Sequence, residues 1–268
     1  PKRERADSQT ERIHCKGDYA VDREGDGEMK KKITGILSGL LVVTLLLVGC
    51  GNQGKIQTPE EYIDENLREI SLSDPWAEGT LGDTEDYQVF LSGEAHGIQE
   101  DYEAEKRLIE YLHTYEGVCY LICEWSVSEG IILERYIQTG EEELLTEFMD
   151  SSAGSLGCNQ GLYQFFQWLC QYNLSLPEEE RLHMFGLDVE FQQDMTIKAL
   201  QMLDTKVKPD NLEEGALKKA VQAVRDGSSQ WYELLQKAAQ EEPEETKAYY
   251  GENWKWAERI LKNQETTL

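Results

Sequence analysis

The chain has 268 residues, of which 26 are Lys or Arg and 52 are Asp or Glu, giving a formal net charge of -26. A surface of that sign repels phosphate backbones and anionic lipid headgroups, which argues against a nucleic-acid partner. No CxxC pattern suited to zinc or haem attachment is present, which argues against those two covalent frameworks.

Residues 1–28 begin with Pro1, alternate charges without apolar periodicity and precede an export signal. They read as an upstream extension of the frame, with the native start expected at Met29. Met29 with Lys30, Lys31 and Lys32 makes a positive segment, and Ile33 to Gly49 makes an apolar one at the short limit for crossing a hydrocarbon core about 30 Å thick. With a small residue before Cys50, residues 29–49 resemble a lipoprotein signal peptide. The mature chain is then expected to begin at Cys50, its thiol carrying a palmitate-type lipid that anchors the protein to the extracytoplasmic face of a cell membrane. Gly51-Asn52-Gln53-Gly54 and the polar stretch around Pro59 and Pro75 read as a tether, so that residues 50–84 link the lipid to a domain at 85–268. About 180 residues suffice for one domain with a substantial core.

Within that domain, apolar segments alternate with helical patterns, which predicts an α/β fold. The expected sheet is mostly parallel, has at least three strands and is flanked by helices. Tyr87–Gly93 predicts the first strand and runs into Glu94-Ala95-His96-Gly97. Leu108, Ile109, Leu112 and Tyr115 keep helical spacing, closed by Gly117. Val118–Cys123 predicts a second strand, buried on both faces and ending at Glu124. Ser126 and Glu129 have capping-box spacing before Ile132, Leu133, Tyr136 and Ile137, with Gly140 as the stop. Leu162, Phe165, Phe166, Leu169 and Asn173 predict another helix. Leu182–Leu187 predicts a third strand, ending at Asp188-Val189-Glu190. From Met195 onward the signals are helical, punctuated by Pro209, Gly227 and Pro243, with Trp231, Trp254 and Trp256 as packing or groove-lining residues.

Parallel strands point the same way, so Glu94, Glu124 and Asp188 are expected at one sheet edge, the ligand crevice of open α/β folds, within an arc of roughly 10 Å. His96 lies two residues beyond Glu94 and shares its side of an extended chain. Clustered carboxylates raise the proton affinity of a member of the group, which prepares Glu94, His96 and Glu124 for general-base work on water. The helix beginning near Ser126 is expected to offer N–H groups to an anionic intermediate. Asp188 and Glu190 are candidate binding residues. His183 reads as a core or edge histidine and His113 as solvent-facing. Cys119 and Cys123 share one strand and cannot bridge each other, so free thiols are expected, with a disulfide involving Cys158 or Cys170 open on export.

LSGEAHGIQEDYEAEKRLIEYL at 91–112, YLICEWSVSEG at 120–130, RYIQTGEEELL at 135–145 and MFGLDVEF at 184–191 together resemble the erythromycin esterase-like and ChaN-like superfamily, which includes the Tiki and TraB proteins. The resemblance implies an α/β domain with its site at the strand ends, Glu94 and His96 matching a GExH-type motif and Glu124 the strand-end acid that activates water. The esterases place one more residue between the first acid and the histidine, carry an arginine where this chain offers Glu105 beside Lys106 and Arg107, and use a second histidine nearer the C-terminus. The shorter spacing sits closer to the ChaN and Tiki branches, which implies haem binding or metal-dependent peptide hydrolysis. The resemblance also implies a further strand, so the chain is expected to be a fragment that stops early at Leu268. The function expected is therefore a lipid-anchored hydrolase of an ester, lactone or amide, acting on a small molecule or peptide. A non-catalytic lipoprotein that binds haem, a divalent metal or a small ligand is the alternative, and an inactive remnant is a third reading.

Overall fold

The computed structural model describes residues 58–155, 157–205 and 207–267. The upstream segment, the apolar run and Cys50 lie outside the described residues. Among the described residues no helix is long and apolar enough to cross a membrane.

The chain divides between Ile70 and Ser71. Before that boundary lies α1 (Pro59–Asn66), which forms because its start is doubly capped. The Thr58 hydroxyl accepts from Glu61 N at 3.2 Å, and Glu61 Oε2 accepts from Thr58 N at 3.0 Å, leaving two fewer orphan amides. Pro59 at the first position loses nothing by lacking an N–H.

The second unit starts with Ser71. Residues 71–84, read from the sequence as tether, lie against α2 (Gln99–Glu116): Gly79 N donates to Tyr111 Oη at 3.0 Å, and the Thr84 hydroxyl donates to Glu116. After α2 the chain makes β1 (Tyr120–Ser126), then α3 (Val127–Thr139), α4 (Glu142–Ser151) and α5 (Gln160–Ser175), and returns in β2 (His183–Asp188). The strands are parallel, Tyr120 opposite His183 and Ser126 opposite Asp188, with a register irregularity between Cys123 and Ser126. Then follow α6 (Gln193–Leu203), α7 (Ala216–Arg225), α8 (Trp231–Glu241), α9 (Pro243–Tyr250) and α10 (Trp254–Thr267). Pro209 opens a 3-10 turn, Gly227 follows the end of α7 and Pro243 begins α9, as the punctuation predicted.

The expected mixture of helices and parallel sheet is present, and the sheet is smaller than expected: two strands among the described residues. Tyr87–Gly93 makes no ladder, and Tyr87, Val89 and Leu91 face water, Val89 at 74% and Leu91 at 95% exposure. Alternation marks a segment that fits a sheet; a strand forms only where a neighbour's edge and a buried face are also supplied. β1 is likewise not buried on both faces. Tyr120, Ile122 and Glu124 are exposed while Leu121, Cys123 and Trp125 are half-buried, the alternation of a sheet covered on one side.

The core gathers around α3. Its capping box forms as predicted, Ser126 Oγ accepting from Glu129 N at 3.1 Å and Glu129 Oε2 from Ser126 N at 2.9 Å. Ile132, Leu133 and Ile137 are fully buried beside Leu145, Phe148, Leu169, Leu182, Leu200 and Trp231. Helix α3 lies directly on β2 because two glycines meet there. A Cβ on Gly130 would sit 2.1 Å from Gly186 N, and one on Gly186 would sit 1.9 Å from Ser126 O. No side chain fits either position, so this contact sets how closely helix and sheet pack.

Candidate functional site

The Glu94–Gly97 motif is an exposed turn held onto the start of α2. Asp101, in the first helical turn, accepts from Ala95 N at 2.6 Å through Oδ2, and Ile98 N closes back onto Ala95 O at 3.3 Å. Gly97 has φ of 81°, a left-handed conformation that a side chain would strain, and it aims the chain into the helix. Gly93 meets nothing nearby. Within the turn, Glu94 Oε1 lies 2.5 Å from His96 Nδ1, both side chains about half-exposed at 45% and 52%. The i, i+2 spacing thus brings these two predicted residues together.

A third acid completes the group. Glu105 stands one helical turn beyond Asp101, and its carboxyl is pushed up to about 7 by burial first, then by the nearby Glu94 and Asp101 carboxylates. The two cations that follow it do not neutralise it. Lys106 pairs with Glu103 at 2.8 Å and Arg107 with Glu110 at 2.5 Å. Opposite lies Cys123 of β1, whose thiol burial pushes up to about 12, with Glu105 and Glu94 adding to the effect. It stays a neutral thiol and is no nucleophile near neutrality. Tyr102 borders the same group: burial raises its phenol, the Asn159 hydrogen bond opposes that, and the charges of Glu94 and Glu105 raise it further. Its hydroxyl accepts from Asn159 Nδ2 at 3.2 Å and donates to Gly157 O at 3.4 Å, drawing the loop before α5 toward His96.

The other predicted residues stand elsewhere. β1 runs two residues past Glu124, so Glu124 sits within the strand, exposed, and alternation turns it away from the face that carries Cys123, Glu94 and Glu105. Asp188 does end β2, but its Oδ1 accepts from Val189 N at 2.7 Å and its main-chain O from Asn263 Nδ2 at 3.0 Å. Glu190 is only 3% exposed, so it belongs to the interior and not to an open crevice. Burial raises its carboxyl; Thr196 Oγ1 donates to its Oε2 at 3.3 Å, and its Oε1 is buried without a hydrogen bond. The start of α3 is partly filled by its own side chains, Ser126 Oγ accepting from Glu129 N and Glu129 Oε2 from Ser126 N. His113, expected to face solvent, is half-buried and bridges Tyr172 Oη at 2.8 Å and Glu180 O at 2.9 Å. Cys119, Cys123, Cys158 and Cys170 are free thiols, Cys170 fully buried.

Glu105 was visible in the sequence only as a departure from the resemblance. Its spacing of four from Asp101 is the signal that places it beneath the motif. Among the described residues no group of three or more His, Cys, Asp or Glu side chains converges where a metal ion could sit. Among those residues the donor set does not fit a bound divalent metal.

These features define a mostly helical protein built round a small parallel sheet, with an exposed glutamate–histidine turn beside the half-buried Glu105. Comparison with protein-family models, curated proteins and solved structures gives no match to this chain.

Proposed function

We propose that the protein is a lipid-anchored, extracytoplasmic hydrolase related to the erythromycin esterase-like and ChaN-like superfamily, with Glu94, His96 and Glu105 as its working groups. The observation that carries this reading is the 2.5 Å Glu94–His96 pair next to a carboxyl with a pKa of about 7. Glu94 accepts the Nδ1 proton of His96 and so fixes Nε2 as the base. Nε2 takes a proton from water as its oxygen attacks an acyl carbon, and Glu105, half protonated near neutrality, returns a proton to the departing alkoxide or amine. Acyl substrates without strong negative charge suit a chain of net charge -26. The signal-like segment at 29–49 with Cys50 supports the anchor. The reading includes a third strand from Tyr87 to Gly93, whose exposed Val89 and Leu91 would gain cover from it.

The test is turnover of an ester, lactone and peptide panel by the full 268-residue chain. His96→Ala is expected to abolish hydrolysis, and Glu105→Gln to lower kcat by about 100-fold or more. Glu124→Ala is the discriminating variant: activity near wild type supports the three-residue group, whereas loss equal to His96→Ala returns the chemistry to the strand ends.

A further inference from the structure

A second histidine–carboxylate pair sits in the wall of a cavity that shares no residue with the Glu94, His96 and Glu105 group. The cavity, about 290 Å³, opens between α3, β2 and α10. Glu134 lies on one side with its carboxylate held three ways: Oε1 accepts from His183 Nδ1 at 2.9 Å and from Gln138 Nε2 at 3.2 Å, and Oε2 accepts from Met184 N at 2.7 Å. Since a carboxylate only accepts, Nδ1 of His183 carries a proton; in the neutral imidazole Nε2 is then an acceptor, with no hydrogen-bond partner among the described residues. Tyr120 stacks on the imidazole, ring centroids 5.8 Å apart, and holds its plane. Across the cavity Asn253 donates its amide to Leu203 O at 3.1 Å, which leaves its side-chain oxygen as a second acceptor. Phe185 and Trp256 stack at 5.6 Å with planes 23° apart, making an aromatic wall. The contact of Gly130 with Gly186 puts bare backbone, without side chains, at the floor.

The hollow's free polar atoms both accept, and the rest of its surface is apolar, so its ligand must donate. Anions are opposed by Glu134 and by the chain's net charge, while a cation finds three of the carboxylate's four lone-pair positions already taken by donors. The volume is roughly twice that of the ~150 Å³ cavity that accommodates benzene, which suits two fused rings. We propose that this cavity binds a neutral two-ring aromatic molecule bearing one hydroxyl or ring N–H, its rings against Trp256 and its donor on His183 Nε2.

The full chain is titrated with 2-naphthol, 2-methoxynaphthalene and naphthalene, followed by tryptophan fluorescence, as wild type and as His183→Phe. Wild type is expected to bind 2-naphthol about tenfold more tightly than either probe without a donor, the worth of one hydrogen bond. In His183→Phe that ratio falls to about one, while naphthalene affinity holds, because phenylalanine keeps the ring and loses the acceptor. Equal affinities of all three probes in wild type, a tenfold ratio that survives in His183→Phe, or no saturable binding overturns the proposal. Should His183→Phe not fold, the comparison of 2-naphthol with its methyl ether in wild type decides alone.

Discussion

The two histidine–carboxylate pairs are similar in chemistry and opposite in setting. Glu94 and His96 are two residues apart on an exposed turn, pinned where Asp101 holds Ala95 N and Ile98 N meets Ala95 O. Glu134 and His183 are 49 residues apart and meet because α3 lies on β2, their geometry fixed by three hydrogen bonds and a stacked ring. The first can move to meet a reacting group; the second is preoriented and suits recognition, where immobility lowers the cost of binding.

The sharpest way to break this contrast is through the frame alone. Gly130→Ala drives a methyl group into Gly186 N, so α3 must lift from β2 at a cost of about 3 kcal/mol. Urea unfolding is expected to show that loss, and 2-naphthol binding to fall with it.

A smaller effect separates the pairs directly. Glu134→Ala leaves Met184 N–H and His183 Nδ1 without their acceptor, costing about 2 kcal/mol in urea unfolding. Glu94→Ala removes an exposed partner and is expected to change stability by no more than about 0.5 kcal/mol while ending hydrolysis. Equal destabilisation by the two variants would erase the distinction.

The mildest probe is pH. Glu105 has its carboxyl raised from 4.5 to about 7 in the folded chain, so the folded state holds a proton that the unfolded state releases. Its contribution to stability is full below 4.5, declines as pH rises through about 7, and is flat beyond. Glu105→Gln is expected to remove that slope and to gain on the order of 1 kcal/mol at about pH 8, measured as a rise in Tm. The alkaline limb of hydrolysis, where Glu105 loses the proton it donates, should flatten in the same variant.

Much of the local structure was legible because its causes are local. Ser126 with Glu129, Gly117, Gly140 and Pro243 mark helix ends through hydrogen bonds and backbone angles that span a turn or less, and each stands where the sequence placed it. The stripe of Leu162, Phe165, Phe166, Leu169 and Asn173 is buried as its period predicted. The pairing of Glu94 with His96 was legible for the same reason. Strand ends were not. Whether β1 stops at Cys123 or at Ser126 depends on β2, and that difference decides which face Glu124 occupies.

The sequence by itself determined the acidic surface, the helices with their caps, the parallel direction of two strands and the turn that joins an acid to a histidine. The caps and the turn follow from interactions among near neighbours in the chain, the acidic surface from composition, and the strand direction from the alternation of strands with helices. Only the tertiary structure decided that Tyr87–Gly93 makes no ladder, that Glu105 lies half-buried near Glu94, and that Glu134 meets His183 in the wall of a cavity. Those outcomes turn on which surfaces lose water together, and desolvation is set by segments distant in sequence.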